Sequence, residues 1–187
     1  ARRSGADVVL VGCTGQDANA NSALELIRKD NINLRYLQTS TRPTGSASIW
    51  VSDRGENSIV VASGANGSLD ASLVSDELLR KSDFLVMQME VPPTENWQLI
   101  ERAKIADVKT ILNLAPVGDI PVHILKQLDY LVINEVEAAA LARQLSLGVL
   151  TEDEIVKALS VTFSLTCILT MGAAGVVAAS QAEQVRM

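Results

Sequence analysis

Apolar residues follow two alternating rhythms along this chain, short continuous runs and helically spaced positions. Residues 7–12 (Asp-Val-Val-Leu-Val-Gly) form a β-branched run closed by glycine, which predicts a buried strand. Residues 22–29 set Leu24, Leu26 and Ile27 among polar side chains, the spacing of an amphipathic helix, and Asp30-Asn31 supplies its stop. From Leu69 the rhythm becomes regular. It predicts helix 70–80, strand 84–89, helix 94–106, strand 108–113, helix 122–127, strand 130–133 and helix 135–143. Thr151-Glu152-Asp153-Glu154 opens a further helix, because a threonine cap and acidic first-turn residues satisfy and complement its exposed N–H groups. Strands 166–170 and 176–180, joined by a glycine-containing turn, complete the series. Strands and helices alternating at this spacing predict an α/β fold, a mainly parallel sheet with right-handed crossovers.

Residues 45–61 break that rhythm. Ala47, Ile49 and Val51 alternate with small or polar residues, Asp53-Arg54-Gly55-Glu56 is a turn signal, and 57–61 returns as a second strand. A β-hairpin set between βα units reads as a flap over something, inserted into one domain spanning 1–187. No internal repeat or interdomain linker interrupts the chain.

In a parallel sheet, ligands bind beyond the carboxyl ends of the strands. Glu90, Asn113, Asn134 and Gly172 each follow a predicted strand, so they are expected to converge on one rim. Asn134 and Glu137 lie three residues apart at a helix start. They can hold a hydrated Mg²⁺ beside phosphates, but the spacing alone favours the simpler reading, an N-cap with an acidic first turn. Thr170-Met171-Gly172-Ala173-Ala174-Gly175 can bring backbone amides close to an anion, or simply turn a hairpin; the Gly-Lys-Ser/Thr ending of a Walker loop is missing. Glu90, just ahead of Pro92-Pro93, can accept hydrogen bonds from a polyol or sit in solvent. Residues 12–17 lack the spacing of a dinucleotide loop and read as a structural turn.

Composition narrows the function classes. Aromatics are 3% of 187 residues and hydrophobics 48%, so the core is aliphatic, as suits buried parallel strands. A net charge of -6 argues against nucleic acid and anionic membrane as partners. Cys13 and Cys167 stand in apolar surroundings without a C-x-x-C partner, which predicts reduced packing residues and a cytoplasmic location. His123, the single histidine, has no nucleophile pattern around it.

Taken together, the segments resemble the ribokinase-like (PfkB) carbohydrate kinase family. The resemblance rests on residues 5–17, Pro-Thr-Gly-Ser-Ala (43–47), Ser-Asp-Arg-Gly-Glu-Asn-Ser-Ile (52–59), Gly-Ala-Asn (64–66), Met-Gln-Met-Glu (87–90), Asn-Leu-Ala-Pro (113–116), Asn-Glu-Val-Glu-Ala (134–138) and Leu-Thr-Met-Gly-Ala-Ala-Gly-Val (169–176). They occur in the family's order and at about its spacing. The resemblance implies a three-layer α/β sandwich in which Glu90 binds sugar and Asn134 and Glu137 form the N-x-x-E motif for Mg²⁺ and phosphate. It also implies that Thr170, Gly172 and Gly175 form the nucleotide turn, and that hairpin 45–61 is a lid pairing two copies as a homodimer. It implies ATP and Mg²⁺ as cofactors, leaves a monovalent cation open, and makes a sugar the acceptor. Ribose at its 5-hydroxyl is the expected acceptor, with fructose or a nucleoside as alternatives. The family's Gly-Gly-Lys-Gly and Gly-Ala-Gly-Asp segments are expected upstream of Ala1 and downstream of Met187. These residues therefore hold no catalytic aspartate, and alone are expected to have negligible turnover. A non-catalytic binding or assembly subunit is the competing expectation. Asn19-Ala20, Leu114 and Ala173-Ala174 depart from the family's usual residues.

Overall fold

The computed structural model describes residues 1–53, 55 and 57–187, and these form two compact units. The first comprises Ala1–Val74 and Glu90–Glu95, the second Ser75–Met89 and Asn96–Met187.

In the first unit, strand β1 (Val9–Thr14) leads through helix α1 (Ala18–Lys29) to strand β2 (Asn33–Thr39), which runs parallel to β1. Asp17 caps α1 by accepting a hydrogen bond from Ala20 N at 3.0 Å, Ala20 and Leu24 face inward, and Arg28 and Lys29 complement the dipole at the far end. Asn31, with φ 54°, turns the chain out of the helix. The local pattern beyond that turn does not mark β2. Its Leu34 and Tyr36 are only half buried, so the alternation that marks a strand is weak.

The hairpin expected over 45–61 is present as β3 (Ser46–Val51) and β4 (Asn57–Ala62), antiparallel with Ile49 opposite Ile59. Arg54 and Glu56 of its turn signal lie outside the described residues. Cys13, Ala65 and Leu69 form this unit's small core, with Val11 and Val91 against them.

The second unit opens with helix α2 (Asp76–Arg80). The single helix expected over 70–80 is instead a 3-10 turn at Ala71–Leu73 followed by α2. Two competing caps divide it: Asp70 accepts from Ser72 N, and Ser75 accepts from Leu78 N. Then come β5 (Phe84–Met87), α3 (Pro93–Ile105), β6 (Lys109–Asn113), α4 (Val122–Leu125), β7 (Tyr130–Asn134), α5 (Glu135–Gln144), α6 (Glu152–Phe163), β8 (Thr166–Thr170), β9 (Val176–Ala179) and β10 (Gln184–Arg186). β5 ends two residues earlier than expected, since Met89 N donates outside the ladder, to Ala115 O at 2.9 Å.

The sheet order is β10-β9-β8-β7-β6-β5, parallel from β5 to β8 and antiparallel through β9 and β10. β10 was not anticipated: it is three exposed residues long and is turned back by Ser180, whose hydroxyl accepts from Ala182 N and Glu183 N at 3.3 Å. Because β5 to β8 are successive neighbours, right-handed crossovers carry their connecting helices to one face. That face is the core. Met87, Leu112, Leu131, Cys167 and Ala179 form one buried row across the sheet. Ile133, Leu169 and Val177 form the next, with α5 and α6 packed on β7, β8 and β9. On the opposite face Phe84 and Val86 are exposed. No helix of the described residues is long and apolar enough to cross a membrane.

Candidate functional site

The carboxyl ends of the parallel strands gather most of the expected rim. Asn113 closes β6, Asn134 closes β7 and Thr170 closes β8. Asn134 and Thr170 are direct partners in the ladder, so the N-x-x-E motif and the glycine turn are placed side by side by strand pairing alone. Glu90 belongs to the other compact unit; it is half buried and follows the buried Met89.

Asn134 and Glu137 form a reciprocal capping box on α5. Glu137 N donates to Asn134 Oδ1 at 2.9 Å, while Asn134 N donates to Glu137 Oε2 at 2.8 Å and Asn134 Nδ2 to Oε1 at 2.9 Å. Glu137 is 4% exposed, so its carboxylate is a buried charge whose two oxygens are both satisfied within one helical turn. The capping reading of this motif is therefore what its geometry performs directly. Asn134 and Glu135 remain exposed at the helix start, where the dipole favours an anion. Among the described residues, no three His, Cys, Asp or Glu side chains come together as a metal site. One carboxylate already engaged in a cap fits a Mg²⁺ that keeps its waters and is shared with phosphates. It does not fit a protein-built cage.

The glycine turn after β8 is a short 3-10 segment at Gly172–Ala174. Gly172 has φ +53° with open space where a side chain would stand. Gly175 has φ +91°, and a Cβ there would lie 2.0 Å from the carbonyl oxygen of Met187, so glycine is required. The turn closes on itself, with Ala174 N donating to Met171 O at 2.9 Å and Met171 N to Gly175 O at 2.9 Å. Gly172, Ala173 and Ala174 are all exposed, leaving a small-residue surface beside Asn134.

One buried polar position near Glu90, Asn96, is not marked by the sequence pattern. Asn96 is 3% exposed and donates from Nδ2 to Gln88 O at 2.7 Å; the carbonyl of Ala115 holds Met89 N. An asparagine near the start of α3 is the only signal the sequence offers, because its burial depends on the fold. Cys13 and Cys167 are free and buried, and burial pushes the Cys167 thiol up to about 12 and the Cys13 thiol up as well. Neither is a nucleophile at neutral pH. His123 is exposed, 3.7 Å from Glu101 Oε1. Residues 12–17 form no dinucleotide loop: Asp17 caps α1 and binds Thr44, its pKa lowered first by the Thr44 hydroxyl, then by Thr44 and Ala20 N–H groups.

Comparison with known proteins agrees with this architecture along its whole length. The family model described as pfkB family carbohydrate kinase matches residues 1–187. The ribokinase of Haemophilus influenzae is 35% identical over 182 residues, 94% of this chain and 58% of that relative. The ribokinase structure of Thermotoga maritima superposes with a TM-score of 0.85 at 28% identity, covering 96% of this chain and 59% of the other. Arabidopsis thaliana ribokinase, solved in complex with ribose and ATP, gives 0.79 at 25% identity over 96% of this chain and 60% of that one. The chain belongs to the pfkB family of carbohydrate kinases and has the ribokinase-like fold. It spans somewhat under two thirds of the length of these relatives.

Proposed function

We propose that the protein is an ATP-dependent sugar kinase that phosphorylates ribose at its 5-hydroxyl. The observation that carries this reading is the ladder pairing of Asn134 with Thr170 at the carboxyl ends of β7 and β8. It sets a capped, anion-favouring helix start against an exposed small-residue turn, in a chain that matches a carbohydrate kinase family throughout. Phosphoryl transfer depends chiefly on positioning and charge stabilisation, and such a rim supplies both.

In this reading Thr170, Gly172 and Gly175 shape the nucleotide surface, Asn134 presents its amide to phosphate, and Glu137 orients Asn134 through the capping box. Mg²⁺, held through water near Glu137, would neutralise phosphate charge. Glu90 accepts hydrogen bonds from sugar hydroxyls. The β3–β4 hairpin is the lid. Ile49, Trp50, Val51, Ile59, Val60 and Val61 are exposed on its two faces, which supports pairing with a second copy. The free, buried cysteines fit a reducing compartment, the cytoplasm.

The test is sugar-dependent ADP formation by the full-length protein. Turnover with ribose at least about tenfold above fructose and nucleosides, on the kcat/KM scale, is expected. Turnover with fructose or a nucleoside in place of ribose overturns the acceptor. No turnover with any of them favours a non-catalytic subunit.

A further inference from the structure

The root of the hairpin is built more tightly than a loop connection requires, and one carboxylate holds it. Asp17 Oδ1 accepts from Thr44 Oγ1 at 2.7 Å, and Oδ2 accepts from Thr44 N at 2.7 Å. Gly15 N in turn donates to Thr44 Oγ1 at 3.0 Å. The residue that enters β3 is thus tied on both backbone and side chain to the loop between β1 and α1. The two legs of the hairpin also cross in contact just below it. A Cβ on Gly45 would lie 2.8 Å from Ser63 O, and one on Gly64 (φ +50°) 2.4 Å from Pro43 O, an oxygen that already accepts from Ala65 N at 2.8 Å. Gly15 admits the entering leg equally closely, its Cβ position 2.6 Å from Arg42 O and Thr44 N.

Above this root the support ends. All six residues of β3 are exposed, and so are residues 58–62 of β4. A two-stranded ribbon has little stability of its own, so its angle and order depend on how its base is fixed. We propose that Asp17 is the positioning residue for the hairpin, acting through Thr44 as a clamp that holds the entering leg while the crossed glycines hold the leaving one. Its consequence for sugar binding rests on the reading of the hairpin as a lid. The charge-assisted bonds of Asp17 are the strong kind, and three donors share its two oxygens.

Asp17→Asn separates clamp from cap. The amide oxygen can still accept from Ala20 N, because asparagine caps helices as well as aspartate. The amide nitrogen, placed where Oδ2 stood, meets the Thr44 N–H as a second donor. Thr44→Val removes the hydroxyl at constant shape, and Thr44→Ser restores it. In the full-length protein, hydrogen exchange of the β3–β4 ladder amides is expected to speed up about tenfold in Asp17→Asn and Thr44→Val, with protection recovered in Thr44→Ser. With Trp97 and every tryptophan outside residues 1–187 replaced by phenylalanine as background, Trp50 anisotropy should fall in the same two variants. The sugar KM should rise about tenfold while kcat stays within about twofold. Unchanged exchange and anisotropy in both variants, with helix content intact, overturn the clamp. A loosened ladder with an unmoved KM establishes the clamp and overturns the lid reading instead.

Discussion

The shared property of the candidate residues is that each is engaged locally before it meets any ligand. Asn134 and Glu137 hold one another, so a substitution at either changes stability and chemistry together. Asn134→Ala should cost about 1 kcal/mol by loss of the cap, read by urea denaturation. Asn134→Ser still caps, so its stability should stay within about 1 kcal/mol of the parent, while turnover of the full-length protein falls about tenfold if the amide meets phosphate. Comparing the two variants in one denaturation and one activity series tests the proposed phosphate role separately from the cap. Cys167 gives a pH prediction. Its thiol is raised to about 12 by burial, so the folded state favours the protonated form. That contribution is complete below the ordinary thiol range near 8.5 and is lost as pH rises from there towards 12. Thiol reagents at pH 8 should leave Cys13 and Cys167 unmodified in the native protein and modify both once it unfolds.

At the scale of elements, turns carry the specificity. Gly175→Ala meets both a left-handed backbone and the Met187 carbonyl, whereas Gly172→Ala meets only the backbone. The first should cost roughly 2–3 kcal/mol and the second about 1, a difference visible in thermal melts. The hairpin root carries its own acid sensitivity. Hydrogen bonds from Thr44 and Ala20 lower the Asp17 pKa, so folding favours the carboxylate. The clamp is therefore complete above the ordinary aspartate range and lost as pH falls through and below it, and ladder amide exchange should accelerate on acidification. Asp17→Asn should remove that pH dependence.

Across the whole molecule, one row of aliphatic side chains organises the larger sheet. Leu112 is fully buried in that row between Met87 and Leu131, so Leu112→Ala should cost about 2–5 kcal/mol, measured by denaturant midpoint. The reverse face carries the exposed Phe84 and Val86, as successive right-handed crossovers dictate when every helix goes to one side.

Local pattern was enough for the α/β class, the hairpin, the parallel strands from β5 to β8 and the alignment of motifs with strand ends. Each depends on periodicity or turn chemistry within a few residues. Tertiary structure decided the rest, because it depends on pairings between distant segments. The half-buried β2 and the short, exposed β10 become strands only through partners that their own sequences scarcely specify. Asn96 gains its place from a carbonyl eight residues away, and Asp17, which local spacing marks as a turn residue, from Thr44 twenty-seven residues on. The juxtaposition of Asn134 with Thr170 likewise needs the β7–β8 register: the sequence names both residues, and only the ladder makes them neighbours.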